Sequence, residues 1–247
     1  MSVLRLEALR KDYGGLTAVR DVTLAVQAGE RRVIIGPNGA GKTTLFKLIA
    51  GEVAPTRGRI LLDGRDLTAL PVHARANLGL GQTFQRNNLF LDLSVLDNVR
   101  LAVQHRRGVA AQMLRPAARF SAVVAEAEAL LERLGLHPQR RQPARTLAYG
   151  QQRALEVALA LATEPRLLLL DEPTAGMSPA ETAEVLRFLA ALPRTLTLLI
   201  VEHDMDVVFS LADRLTVLHE GQVIAEGSPA AVRADARVQA IYLGPAG

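Results

Sequence analysis

The stretch Gly36 Pro37 Asn38 Gly39 Ala40 Gly41 Lys42 Thr43 Thr44 fits the pattern glycine, any four residues, glycine, lysine, threonine, which marks a phosphate-binding loop. Its glycines let the backbone fold tightly, so that successive N–H groups point inward at an anion, and Lys42 adds a mobile cation. Behind the loop, Leu45, Leu48 and Ile49 recur at helical spacing on one face until Gly51 can end the helix. The N-terminus of such a helix itself favours phosphate. Ahead of the loop, Arg32 Val33 Ile34 Ile35 reads as a short buried strand. Strand, loop and helix in that order are the context that separates a nucleotide site from a chance run of glycines.

The chain has room for one large α/β domain or two small ones, at 247 residues of which 49% are hydrophobic. It contains no cysteine, which excludes disulfides and thiolate metal sites and agrees with a reducing compartment. No run approaches the ~18 apolar residues of a membrane helix, and Met1 to Glu7 lacks the basic-then-apolar layout of a signal peptide. A soluble, cytoplasmic chain is therefore expected. The net charge of +4 is modest, and arginines fall in scattered pairs (Arg31 with Arg32, Arg106 with Arg107, Arg140 with Arg141) rather than in a stripe interleaved with aromatics. No nucleic-acid partner is expected on that basis.

Val3 to Leu9 and Asp21 to Val26 read as a hairpin-rich β region, with Lys11 Asp12 Tyr13 Gly14 Gly15 as a polar turn between them. Tyr13 is either an ordinary surface tyrosine or a ring placed to stack on a purine. Gly58 to Asp63 reads as a strand followed by the turn Gly64 Arg65 Asp66, and Gly81 to Asn88, which contains Gln85, as a polar segment without periodicity. From Val95 to about Arg133 the period is helical: Val123, Ala127, Leu130, Leu131 and Leu134 line one face before Gly135, and Pro116 breaks the region into pieces. A further helix, running to about Thr163, follows Leu147 Ala148 Tyr149 Gly150 Gln151.

Leu167 to Leu170, bounded by Pro165 and Pro173, make a strand covered on both faces, as in a parallel sheet. The strand ends in Asp171 and Glu172, at the edge where such sheets bind ligands. A phosphate loop needs Mg²⁺, and an apolar strand ending in aspartate is a way to hold it. Ser178 Pro179 Ala180 Glu181 is a capping box that opens the next helix. Thr195 to Val201 is another buried strand, ending in Glu202 His203 Asp204, where His203 is a candidate γ-phosphate contact or else a cap or surface group. Leu215 to Leu218 and Gln222 to Glu226, joined through Glu220 Gly221, read as a hairpin.

In this order and spacing the pieces resemble the ATP-binding cassette (ABC) ATPases over essentially the whole chain. The resemblance implies an α/β fold with a RecA-like parallel-sheet core, an N-terminal antiparallel β subdomain and an inserted helical subdomain. It makes residues 1–247 one nucleotide-binding domain, with 1–85 and 160–247 as the core and its antiparallel β subdomain and about 86–159 as the helical subdomain. ATP would lie on Gly36 to Thr44 with its adenine stacked on Tyr13, and Thr43, Asp171 and Gln85 would surround Mg²⁺. Glu172 would be the general base for the attacking water, with His203 holding that water and the γ-phosphate in line, and with Gln85 linking core to helical subdomain. Leu147, Ala148, Tyr149, Gly150 and Gln151 match the family signature, which is presented to the ATP of a second chain, so that hydrolysis needs a dimer.

Two positions depart from the family pattern. Ala148 and Tyr149 stand where the signature usually has serine and glycine, and Ala148 removes a hydroxyl that would bond the γ-phosphate, leaving backbone N–H groups to do so. After Glu172, Ala175 Gly176 Met177 Ser178 replaces the usual Ser-Ala-Leu-Asp, so its aspartate is missing. Both departures resemble one branch, the ATPases of branched-chain amino acid importers of the LivG type, as do Tyr13 to Val19, Arg86 to Phe90, Glu202 to Met205, the segment around Met113 to Phe120, and Ile241 to Gly244. The branch implies two transmembrane permease subunits, a second ATPase subunit (homo- or heterodimer), indirectly a periplasmic binding protein, and a place on the inner face of the cell membrane. The alternatives are the similar ATPases of urea and amide importers, those of lipid or lipopolysaccharide export, which usually keep the signature serine, and ABC proteins acting on nucleic acid or ribosomes, which usually carry two cassettes or a long coiled coil.

Overall fold

A computed structural model describes residues 2–83, 89–108 and 121–243. The first elements are β1 (Ser2–Tyr13), β2 (Leu16–Gln27), β3 (Arg31–Ile35), α1 (Lys42–Ala50), β4 (Arg57–Leu62), β5 (Arg65–Asp66), α2 (Val72–Asn77) and β6 (Leu80–Gln82). Then come α3 (Val95–Arg106), α4 (Ser121–Arg133), α5 (Tyr149–Ala162), β7 (Leu167–Asp171), α6 (Pro179–Ala191) and β8 (Thr197–Val201). The described chain closes with α7 (Met205–Leu211), β9 (Arg214–His219), β10 (Gln222–Gly227), α8 (Pro229–Arg233) and α9 (Ala236–Leu243). Two compact units result: Met1–Gln82, Arg166–Glu172 and Leu192–Gly247 form one, and Thr83–Pro165 with Pro173–Ala191 the other.

The first unit holds two sheets. One is antiparallel in the order β2-β1-β4-β5. Its Leu4, Leu6 and Leu9 pair with Val26, Leu24 and Val22, and these six side chains are buried while Arg5 and Thr23 between them face water. That alternation is what made the β region legible. The other sheet runs β10-β9-β3-β8-β7-β6, parallel from β9 to β6, with β10 antiparallel at its edge. Its central strands β3, β8 and β7 carry apolar runs because both faces are covered. Burying each of Leu167 to Leu170, none more than 1% exposed, contributes about 2 kcal/mol. Since β3, β8 and β7 are parallel neighbours, the loop after Ile35, the segment after Val201 and the end of β7 emerge at the same edge.

Three readings change here. The polar turn shrinks to Gly14 and Gly15, and Tyr13 is the last residue of β1, paired with Leu16. Gly81 and Gln82, read as the start of a polar segment without periodicity, belong to Leu80–Gln82, an edge strand parallel to β7. Four short helices, α2, α7, α8 and α9, occupy segments in which no helix was expected.

The second unit is helical. Val95, Val99 and Val103 of α3, Val123, Ala127 and Leu131 of α4, and Leu155, Ala158 and Ala162 of α5 share one core. Ser94 caps α3, its hydroxyl accepting from Asp97 N at 3.0 Å. The capping box forms as expected: Glu181 accepts the Ser178 N–H at 2.9 Å, and the Ser178 hydroxyl accepts from Glu181 N at 3.4 Å. Arg86 to Asn88 and the segment Met113 to Phe120 with Pro116 lie outside the described residues. Among the described residues no helix is long and apolar enough to cross a membrane.

Candidate functional site

Gly41 takes φ +100 as the N-cap of α1, and its carbonyl accepts from Leu45 N at 2.8 Å to open the helix. No side chain caps α1, so its first N–H groups remain for an anion. Lys42 arches back over the loop and donates to the carbonyls of Gly36 at 2.6 Å and Pro37 at 3.1 Å. Burial holds its ammonium below the ordinary lysine range, while the carboxylates of Glu172 and then Asp171 push it back up. A cleft of about 710 Å³ opens over the loop; Asn38 to Thr44, Tyr13 and Glu172 all line it. Tyr13 is 46% exposed, with the Lys11 ammonium 4.9 Å from its ring centroid. The structure thus places the tyrosine ring and the loop on walls of one cleft.

Asp171 ends β7, and Glu172 follows at φ +48, a left-handed conformation that costs a non-glycine residue about 1 kcal/mol or more. Its N–H donates to Val201 O at 2.9 Å, which fixes the turn against β8. His203 Nδ1 stands 3.7 Å from Glu172 Oε1. The capping role considered for His203 belongs instead to Asp204, whose Oδ1 accepts from Asp206 N at 2.9 Å and Val207 N at 3.4 Å. Thr43, exposed in the first turn of α1, and Asp171 offer hard oxygen donors of the kind Mg²⁺ takes. Among the described residues no cluster of three or more histidines and carboxylates could hold a metal unaided. Gln85 lies outside the described residues.

Leu147 to Gln151 belong to the second unit. Ala148 is the N-cap of α5 and has no side-chain acceptor; Gln151 Oε1 reaches back to accept from Ala148 N at 3.2 Å. Gly150 is buried, and a Cβ there would lie 2.8 Å from Glu181 Oε1. The N–H and hydroxyl of Ser178, and then the Gly150 N–H, hold the Glu181 carboxyl below its usual range. Tyr149 is 43% exposed, and its hydroxyl accepts from Arg153 Nε at 3.2 Å and Nη2 at 3.1 Å.

The cleft also includes Leu16, Thr17, Ala18, Arg20, Glu220 and Gly221, to which the sequence reading assigned no part in the site. Glu220 and Gly221 were legible only as a turn. Their closeness to the loop rests on backbone contacts between distant segments, which leave no local pattern.

The family described as "ABC transporter" matches residues 19–175, and the family described as "Branched-chain amino acid ATP-binding cassette transporter" matches residues 222–244. The chain is 40% identical over 256 residues to the high-affinity branched-chain amino acid transport ATP-binding protein BraF of Pseudomonas aeruginosa, covering 99% of this chain and 98% of that one. It is 39% identical over 252 residues to LivG of Escherichia coli K12, with the same coverage. It is also 40% identical over 243 residues to the lipopolysaccharide export ATP-binding protein LptB of Acidithiobacillus ferridurans, covering 98% and 97%. Among solved structures, the ADP conformation of MJ1267, an ATP-binding cassette of an ABC transporter, superimposes with a TM-score of 0.84 at 30% identity over 99% of this chain and 100% of that one. A dimeric post-hydrolysis state of the cassette MJ0796, bound to ADP and Pi, gives 0.76 at 25% identity over 91% and 98%.

Proposed function

The chain belongs to the ABC transporter family of ATP-binding cassettes, an ATPase family, and we propose that it energises an importer of branched-chain amino acids. The observation that carries this reading is the likeness to BraF and LivG over nearly the full length, together with the match of residues 222–244 to the branched-chain group. In this reading residues 1–247 are one nucleotide-binding domain, 1–85 and 160–247 its core and about 86–159 its helical subdomain. It works against a second ATPase subunit, under two membrane permeases at the inner face of the membrane, and is reached only indirectly by a periplasmic binding protein.

The chain's residues divide the work. The N–H groups of the loop and of α1, with Lys42, bind the β- and γ-phosphates, and Tyr13 stacks on the adenine. Thr43 and Asp171, with Gln85, would hold Mg²⁺, which when bound neutralises charge on the phosphates. Glu172 accepts a proton from the attacking water, and His203, beside it, holds that water and the γ-phosphate in line. Leu147 to Gln151 meet the γ-phosphate on the opposite subunit through backbone N–H groups of α5. Closure on ATP and reopening after hydrolysis move whatever docks on the helical subdomain.

The test is reconstitution with the membrane subunits in proteoliposomes. Stimulation of ATP hydrolysis by a binding protein loaded with leucine, isoleucine or valine supports the proposal. Stimulation only by an amide-loaded binding protein, or only in a lipopolysaccharide-extracting complex, would replace it. The likeness to LptB favours export as the second reading, against which stand Ala148 and the match at residues 222–244.

A further inference from the structure

Two of the loop's glycines are shaped by something other than phosphate. A Cβ on Gly36 would come 2.2 Å from the Leu218 carbonyl oxygen, and one on Gly41 would come 2.4 Å from that of Ala18 and 3.5 Å from Gly221 Cα. Backbone hydrogen bonds complete the contact: Gly221 N donates to Ala40 O at 3.0 Å, and Arg20 N donates to Gly221 O at 2.8 Å. Gly221, at φ +76, has no room for a side chain, since its Cβ would meet Ala18 O at 2.9 Å. The end of β9 and its turn therefore lie backbone to backbone against the loop, although they come far later in the sequence.

Loop N–H groups can converge on a phosphate only if the loop's carbonyls point elsewhere and are satisfied there. The Ala40 carbonyl is satisfied by Gly221. The same residue's carbonyl holds Arg20, next to the cleft-lining residues of β2. We propose that the β9–β10 turn is a positioning element of the nucleotide site: by bonding at once to Ala40 and Arg20, Gly221 sets the register between the phosphate loop and the cleft wall that carries Tyr13, and with it the affinity for ATP. This rests on reading Gly36 to Thr44 as the nucleotide site.

The molecule contains its own matched control. The β4–β5 turn has Asp63 at φ +49 and Gly64 at φ +78, against Glu220 at +46 and Gly221 at +76, yet a Cβ on Gly64 meets nothing within 4 Å. Alanine at either glycine imposes the same backbone strain, and only at Gly221 does the disturbance reach the loop. The experiment measures ATP-analogue affinity and thermal stability of the full chain for wild type, Gly64→Ala, Gly221→Ala and Lys42→Ala. Gly221→Ala should weaken ATP binding by about tenfold or more and Gly64→Ala by less than about twofold. Equal affinity in the two glycine variants would overturn the proposal.

Should Gly221→Ala fail to fold, amide exchange on the wild-type chain decides. ATP should slow exchange at Gly221 and Arg20 and leave the Asp63–Gly64 turn unchanged; no ATP-dependent protection at Gly221 and Arg20 overturns the proposal. A wild-type chain that does not bind ATP, or a Lys42→Ala chain that binds it undiminished, would instead sink the reading of the loop.

Discussion

In helices α1 and α5 alike the N-cap residue supplies no capping side chain, and their surroundings differ in kind. At α1, Lys42, Asp171 and Glu172 converge on the open N-terminus from one unit of the chain. At α5 there is neither a lysine of this sort nor a capping hydroxyl, and the Gly150 N–H is engaged by the Glu181 carboxylate. A bare helix N-terminus supplies only about half a charge. In the proposed reading the first end captures a nucleotide by itself, whereas the second adds to a phosphate that another subunit already holds. Nucleotide affinity of the isolated subunit and turnover of the assembled pair should respond to different residues.

The largest effect that would sharpen this contrast is Glu172→Gln. On the proposed assignment turnover falls by about a thousandfold while ATP binding stays nearly intact and a closed dimer accumulates; unchanged turnover would point to another base. Lys42→Ala comes next, with a loss of about a hundredfold in affinity of the isolated chain for a fluorescent ATP analogue, since a desolvated charge-assisted bond is removed. Gly150→Ala forces a methyl group toward Glu181 and should lower turnover of the pair about tenfold with monomer ATP affinity unchanged. A parallel loss of monomer affinity would break the contrast between the two helix ends. The smallest effect is expected of Ala148→Ser, which restores a hydroxyl at the N-cap of α5 and should raise turnover about threefold in steady-state assays. No change there would mean that the backbone suffices.

How much of this could be read from the chain depended on how local each signal is. The loop, the strand Leu167–Asp171 and the capping box at Ser178 are continuous stretches whose residue types dictate their conformation, and they form as expected. Leu80–Gln82 has only three residues, too few for a period, and becomes a strand because β7 offers it an edge. Tyr13 looked like part of a turn because its neighbours are polar; pairing with Leu16 extends β1 to include it. Of the readings open for His203, Asp204 takes the cap, a bond that only the folded turn reveals. Gly221 was legible as a turn but its place against the loop was not, because its partners Ala40 and Arg20 are met through main-chain atoms common to every residue.

Lys42, bonded to the carbonyls of Gly36 and Pro37, makes the resting loop self-solvating. In the proposed reading an arriving phosphate does not find a bare cation and must compete with two carbonyl oxygens for Lys42. On that reading, selectivity for phosphate over weaker acceptors comes from competition with the loop's own backbone for one ammonium.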